Sequence, residues 1–451
     1  MEIRCINKQY TPYNSGTKEM SDKHYTIHKL MRQSALPSGK REKVINEATG
    51  TTDINVQNTR PELVSLTRAV NNLIYHELVA VQETELPVAT LFGVRYRNPN
   101  GDMTFSSAAT YSGRISGRTD IDEIDLTKAY VKGDLFKHDG TDVVYEVIEP
   151  ITLNTLDTDK DTAIMKAVFQ SKIRLVSEAA DTSKYETSED IASTSFQMDR
   201  WNIPVRSRKF KTEMTVELMQ DLEANQFEAD GVIEDILGTV ASEEVNKDII
   251  QTLITVSKRY NVDGLVTDGI FDGTTAYTAK DAPALGRILY QLACEMGQEM
   301  NRTTSFDATY VLATARVVGI LAASGWMHET DEQHPLATGK LNNGYYVYTD
   351  TTSPFDYMLT GCKYDLGDMD HVGSLFFAPY TEADEAGSIK VSVDPASLQP
   401  KVAILMRYGL SVNPYTAESE SDHLIKGDDW SALAGKSKLS QIVGIKLPKL
   451  G

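Results

Sequence analysis

The strongest periodic signal in the chain lies over residues 230–256, which read D-G-V-I-E-D-I-L-G-T-V-A-S-E-E-V-N-K-D-I-I-Q-T-L-I-T-V. Val232, Ile233, Ile236, Leu237, Val240 and Ala241 recur at helical spacing, and so do Val245, Ile249, Ile250, Leu253 and Ile254. Glu234, Asp235, Glu243, Glu244, Lys247 and Asp248 fill the remaining positions. The spacing predicts one helix, with Asp230 as N-cap and the early acids near the positive end of its dipole. At about 1.5 Å per residue it is on the order of 40 Å long. A helix of that length needs an equally long surface to pack on.

The rest of the pattern is arranged around that helix. Residues 1–58 are polar with weak periodicity and read as an extended arm. Residues 60–80 predict a helix, with Pro61 in the first turn and an apolar stripe of Leu63, Leu66, Val70, Leu73, Ile74 and Leu78. Pro87–Arg97 predicts a strand, stopped by Asn98-Pro99-Asn100-Gly101. Residues 100–200 hold short strand candidates, Val143–Ile148 and Ile164–Val176, between Asp/Thr/Ser-rich turns. A long two-stranded excursion cannot cover its own surface, so this region reads as a loop lying on a neighbour or as a small inserted β-subdomain. Beyond the long helix come Asp-Gly turns at 263, 268 and 272, then a helix marked by Leu285, Ile288, Leu289, Leu292, Met296 and Met300. Thr309–Ala313 predicts a buried strand and Ala315–Ala323 a second helix. Strands are expected at Tyr345–Tyr348, Tyr357–Thr360 and Leu375–Ala378, and at Val402–Met406 and Leu410–Val412. Residues 417–451 read as a polar tail with a short strand at Ile442–Leu447. This mixture predicts an α+β protein.

Composition narrows the classes. With 451 residues, 41% hydrophobic and 24% charged, the chain has material for a large core or for two or three domains. No apolar run approaches a membrane span, and the first residues carry no signal-peptide pattern. Cys5, Cys294 and Cys362 are odd in number and far apart, which argues against a disulfide framework and fits a reducing cytoplasm. The net charge of −19 argues against tight duplex-DNA binding. Residues 1–47 differ: nine Lys and Arg against five acids make them +4, either as a solvated tail or as an arm for an acidic neighbour or enclosed nucleic acid.

Enzyme motifs fail where they can be tested. Asp157-x-Asp159-x-Asp161 opens like a calcium loop, but Thr162 and Val168 stand where that loop needs glycine and glutamate. Asp365, Asp368, Asp370 and His371 form the densest acid and histidine cluster, in a turn-like sequence that favours an exposed loop over a metal site. Gly435-Lys436-Ser437 mimics the end of a phosphate loop, yet Trp430 occupies the required glycine position. Cys294 falls on an apolar helix face and reads as core rather than nucleophile. No catalytic residue, cofactor site or metal site is assigned. A soluble carboxylate-based hydrolase stays as an alternative, since Asp and Glu are abundant.

The ordered set of motifs resembles the major capsid proteins of T-even-type tailed bacteriophages. It comprises Pro61–Val64, Val205–Lys211, Val216–Leu222, Glu243–Asp248, Phe306–Ser324, Gly344–Tyr348, Phe376-Phe377-Ala378-Pro379-Tyr380 and Arg407-Tyr408-Gly409-Leu410-Ser411-Val412-Asn413-Pro414-Tyr415. The resemblance covers about residues 60–100 and 196–416. It implies an HK97-like fold with residues 1–58 as N-terminal arm, 59–99 as the first helix and strand of a peripheral domain, and 100–200 as extended loop. It places 201–279 in the peripheral domain with the long helix, 280–398 in an axial domain, 399–416 in returning peripheral strands, and 417–451 in a tail. The implied function is self-assembly into hexamers, and pentamers, of an icosahedral shell enclosing double-stranded DNA non-specifically. Implied partners are scaffold, portal and decoration or vertex proteins, with assembly in the host cytoplasm and no membrane. The family's prohead protease cuts after a glutamate with an aliphatic residue two positions earlier, and Ile45-x-Glu47 before Ala48 fits that pattern, either as a processing site or as a chance match to a short motif in an arm that stays uncut. An encapsulin-type nanocompartment shares the fold class and stands as the other alternative.

Overall fold

A computed structural model describes residues 74–97, 113–115, 120–138, 143–179, 195–213, 215–217, 220, 229–278, 282–330, 334–365, 371–380, 389–393, 399–413 and 433–449. The predicted helix over 60–80 is described only at its end, Tyr75–Leu78. The N-terminal arm lies outside the described residues.

The long helix runs Ala229–Val256. From Ala241 onward it is buried on nearly every side: Ser242, Val245, Asn246, Ile249, Ile250, Leu253 and Val256 are all inaccessible. A helix buried all round must lie between two layers. One layer is a five-stranded sheet. Its hub is a single 13-residue strand, Pro400–Val412, where the sequence suggested two short ones. Arg206–Glu213 pairs along one edge of this hub, while Ile389–Val393 and Leu375–Pro379 share the other. Alternate hub residues Val402, Ile404, Met406 and Tyr408 pack with the helix. The two motifs that carried the resemblance are antiparallel neighbours here, with Phe377 opposite Leu410 and Pro379 opposite Tyr408.

The other layer is a nine-stranded mixed sheet. Its main path is Val266–Thr267, Ile270–Asp272, Ser437–Lys446, Tyr357–Gly361, Tyr310–Thr314, Tyr346–Asp350, Gly339–Leu341 and Met327–His328, and Ser257–Arg259 also pairs with Ser437–Lys446. Side chains alternate across the sheet. Tyr310, Leu312, Tyr348, Leu359 and Ile442 face the long helix. Val311, Ala313, Val347, Met358 and Val443 face the helix Ala282–Thr304, through Leu289, Leu292, Met296 and Met300. Burial on both faces explains why these strands read as continuous apolar runs.

The C-terminal segment departs from the polar-tail reading. Ser437–Lys446 is a ten-residue strand inside this sheet, antiparallel to Tyr357–Gly361 and parallel to Ile270–Asp272 and Ser257–Arg259. Its serines hid it. Ser437 and Ser440 meet Ser374 at 2.8 and 2.9 Å, and Ser440 accepts from Ser257 at 2.8 Å, so their hydroxyls are satisfied inside the core.

Ile164–Val176 is not the predicted strand either. Lys160–Phe169 is a helix and only Ile173–Leu175 is extended. Asp159 caps the helix by accepting from the Thr162 amide at 3.0 Å. Ala163, Ile164 and Ala167 form its buried stripe.

Truncation before residue 433 should abolish cooperative unfolding in calorimetry, because it removes a central strand. Leu253→Ala should lower stability by about 2–5 kcal/mol in denaturant unfolding.

Candidate functional site: uncovered surfaces of the ribbon, lobe and sheet

Val88–Arg97 and Ser195–Pro204 form a ten-pair antiparallel ribbon, in register from Val88 opposite Pro204 to Arg97 opposite Ser195. At about 3.4 Å per residue it is on the order of 30 Å long. Its root is anchored: Ala89, Leu91, Trp201 and Ile203 pack on Ala80, Phe376 and Ala378. Gly409 is required there, since a Cβ at that position would lie 2.6 Å from Ile203 Cγ2. On the opposite face Phe92 is 66% and Met198 69% exposed.

Between the two ribbon strands the chain builds a lobe with its own core. Ile124, Tyr130, Phe136, Val147, Leu153, Ile164 and Ile173 are buried together. Of the two sequence alternatives for residues 100–200, the inserted subdomain is seen, with a helix among its strands. The lobe leaves apolar surface uncovered: on its helix Met165 is 54% and Phe169 83% exposed. Those two residues stand four apart and share a face with Asp161.

At the lobe's neck the incoming and outgoing chains are joined by charge. Arg114 forms a fork on Glu146, with both N···O distances at 3.1 Å. Arg174 donates to the same carboxylate at 2.9 and 2.6 Å and also to Glu178. The Arg114 amide donates to the Glu178 carbonyl at 3.0 Å. The hydrogen bonds from Arg114, joined by those from Arg174, hold the Glu146 carboxyl below its usual range against the opposing effect of burial.

A second polar cluster ties the five-stranded sheet to the long helix. Arg208 donates to the Tyr408 hydroxyl at 2.6 Å, and that hydroxyl donates to Asp248 at 2.6 Å. Arg208 also reaches Glu244 at 3.2 Å and Asp248 at 3.3 Å. Burial opposes the charge on Arg208, but Tyr408 and Asp248 outweigh it and raise its pKa. The cluster borders a hollow of about 330 Å³ beside Arg206, Thr252 and Leu410. Arg208, Tyr408, Asp248 and Glu244 are engaged in holding helix to sheet.

The candidate chemical residues are not brought together. Asp159 is a helix cap, and Asp157 pairs with Lys166 at 2.6 Å. His371 meets Asp365 at 2.9 Å, while Asp368 and Asp370 lie outside the described residues. Among the described residues no group of three or more His, Cys, Asp or Glu is placed to hold a metal ion. Cys294 is half-buried rather than fully in the core, and its sulfur accepts from Asn343 at 3.2 Å. Gly435, at φ 72°, turns the chain into the C-terminal strand. Ile45, Glu47 and Ala48 lie outside the described residues.

An anchored body with a projecting ribbon, and a lobe whose apolar side chains stand in solvent, is the form of a subunit made to pack against other proteins. The family model described as Major capsid protein Gp23 matches residues 56–445. The chain belongs to that family, and is thereby a phage capsid component. It is 44% identical over 430 residues to a protein named capsid vertex protein from Enterobacteria phage T4, covering 91% of this chain and 99% of that one. It is 25% identical over 423 residues to the protein named major capsid protein of the same phage, covering 83% and 79%. Among solved structures, the capsid of Myoviridae phage XM1 aligns with a TM-score of 0.40 and 10% identity, over 88% of this chain and 100% of that one.

Tyr408→Phe removes a hydrogen bond to a carboxylate and should lower stability by about 1.5–3 kcal/mol, measured by denaturant unfolding at neutral pH. Glu146, with its pKa depressed on folding, stabilises the lobe fully above its unfolded value of 4.5, and the contribution fades as pH falls through the lower folded value. The gap in thermal midpoint between wild type and Glu146→Gln should therefore be widest near neutral pH and narrow below about pH 4.5.

Proposed function

We propose that this chain is the vertex subunit of a tailed-phage head. Five copies form a ring at each five-fold corner of an icosahedral shell around double-stranded DNA. The observation that carries this reading is the contrast within one phage: 44% identity to its vertex protein against 25% to its major capsid protein. The family match alone supports the broader role of shell subunit, in hexamers or pentamers.

The role is mechanical rather than catalytic. In an HK97-like arrangement the two layers around the long helix serve as the peripheral domain, and the nine-stranded sheet with its outer helices extends into an axial domain that surrounds the ring centre. The ribbon and lobe then extend over an adjoining subunit. Obligate interfaces of this kind bury on the order of 2,000 Å² or more. That area offsets the exposure of side chains such as Phe92 and Phe169, which a monomer leaves in water. Processing after Glu47 by a prohead protease, which leaves Ala48 as the first residue, belongs to the same reading. Scaffold, portal and decoration proteins are its partners, and assembly takes place in the host cytoplasm.

Native mass spectrometry of the assembled protein tests the ring size. Five copies of a 50.0 kDa chain give a species of about 250 kDa, whereas a hexamer near 300 kDa overturns the vertex assignment. Intact-mass analysis of the chain from mature heads should find Ala48 as its first residue.

A further inference from the structure

The chain holds two Asn-Gly pairs, Asn100-Gly101 and Asn343-Gly344. In such a pair the glycine nitrogen, with no side chain beside it, can attack the asparagine side-chain carbonyl carbon. A bond forms between that nitrogen and Cγ, the bond from Cγ to Nδ2 breaks, and ammonia leaves with the proton of the attacking nitrogen. Water then opens the cyclic imide to aspartate or isoaspartate. Asn100 lies outside the described residues. Asn343 and Gly344 are exposed, so water reaches both.

Asn342-Asn343-Gly344 is the three-residue loop of a hairpin between Gly339–Leu341 and Tyr346–Asp350, with Gly344 at φ 97°. The three groups that must rearrange are all held elsewhere. The attacking Gly344 nitrogen donates to the Leu341 carbonyl at 2.9 Å. The oxygen on Cγ, Oδ1, accepts from the Tyr345 amide at 3.2 Å. The leaving Nδ2 donates to Cys294 Sγ at 3.2 Å. Ring closure has to give up these bonds, each of which opposes it by up to about tenfold. The helix Ala282–Thr304 keeps the loop in this setting. Cys294 lies on it, and so does Tyr290, whose hydroxyl bonds to the Cys294 side chain and to the Asn343 backbone. Gly297, one turn further on, leaves the space that the Tyr345 hydroxyl fills, since a Cβ there would overlap it. Tyr345 is thereby buried, and its amide stays beside Asn343 Oδ1.

We infer that Asn343 is a latent deamidation site and that Cys294 is the lock on it, so that the folded chain keeps an amide that its unfolded form loses. The product carboxylate would stand at a hollow of about 430 Å³ that Asp307 also lines. A carboxylate has no proton to donate to the thiol, and two acids on one hollow repel. A subunit in a finished shell cannot be replaced by new synthesis, which gives the lock its use. Neither the lock nor its test depends on ring size.

The test follows conversion of Asn343 over time in the full-length chain at neutral pH, by peptide mass mapping and isoaspartate detection. Wild type, Cys294→Ala and Cys294→Ser are compared, each native and in denaturant, with circular dichroism checking the fold. In denaturant all three should convert at one rate. Native wild type should be at least about tenfold slower than the unfolded chain. Native Cys294→Ala should convert at least about threefold faster than native wild type. Cys294→Ser, whose hydroxyl can accept from Nδ2, should stay near wild type. Cys294→Val, which lacks the acceptor but fills the space, stands in if the alanine variant does not fold. Native wild type that converts as fast as the unfolded chain overturns the inference. Native Cys294→Ala as slow as wild type refutes the lock at Cys294. A serine variant as fast as the alanine variant assigns the effect to packing and refutes the hydrogen bond as the lock.

Discussion

The fold depends on burying one helix between two sheets. From Ala241 to Val256 the helix offers apolar side chains around most of its circumference, and no single layer could cover them. The five-stranded sheet takes one side through Val402, Ile404 and Met406, and the nine-stranded sheet takes the other through Leu312, Leu359 and Ile442. Each sheet alone would leave a row of isoleucines and leucines in water, at roughly 1.5–3 kcal/mol per side chain. The helix is therefore the shared core of both layers. The Arg208–Tyr408–Asp248 cluster adds direction to that packing, because its hydrogen bonds are met at only one setting of the hub strand against the helix.

This arrangement leaves the projecting parts free to serve other molecules. The ribbon is anchored by Trp201 and Ile203 at its root. The lobe carries its own core, closed at the neck by four alternating charges. A body whose projecting lobe carries its own core suits a shell, where each subunit must reach its neighbours without disturbing its own core. Family membership and the uncovered side chains agree on that point.

The contrast between the two T4 relatives bears on how such a shell is divided. Two proteins of one phage share the alignment over most of this chain, yet one is far nearer in sequence. Among the described residues, the ribbon, the lobe and the outer face of the five-stranded sheet are the surfaces that lie outside the two-sheet core.

Much of this was legible in the chain before folding. Helical spacing located the long helix to within a residue of its observed start, and the buried strands at Tyr310, Tyr357 and Leu375 announced themselves as unbroken apolar runs. Local pattern suffices where local burial is uniform. It found only the second half of Ser437–Lys446, in the strand expected from Ile442, and missed the serine-rich first half, whose hydroxyls are met by Ser257 and Ser374 from elsewhere in the chain. It failed at Lys160–Phe169, where a cap at Asp159 outweighed an apparently extended run. The setting of Asn343 was beyond sequence reading for a further reason. Cys294 is 49 residues away, and only tertiary packing brings its sulfur to the Asn343 amide. Composition and periodicity determined an acidic α+β chain built around one helix. Which side chains meet was decided by tertiary pairing, because a side chain's direction depends on the strand or helix it ends up beside.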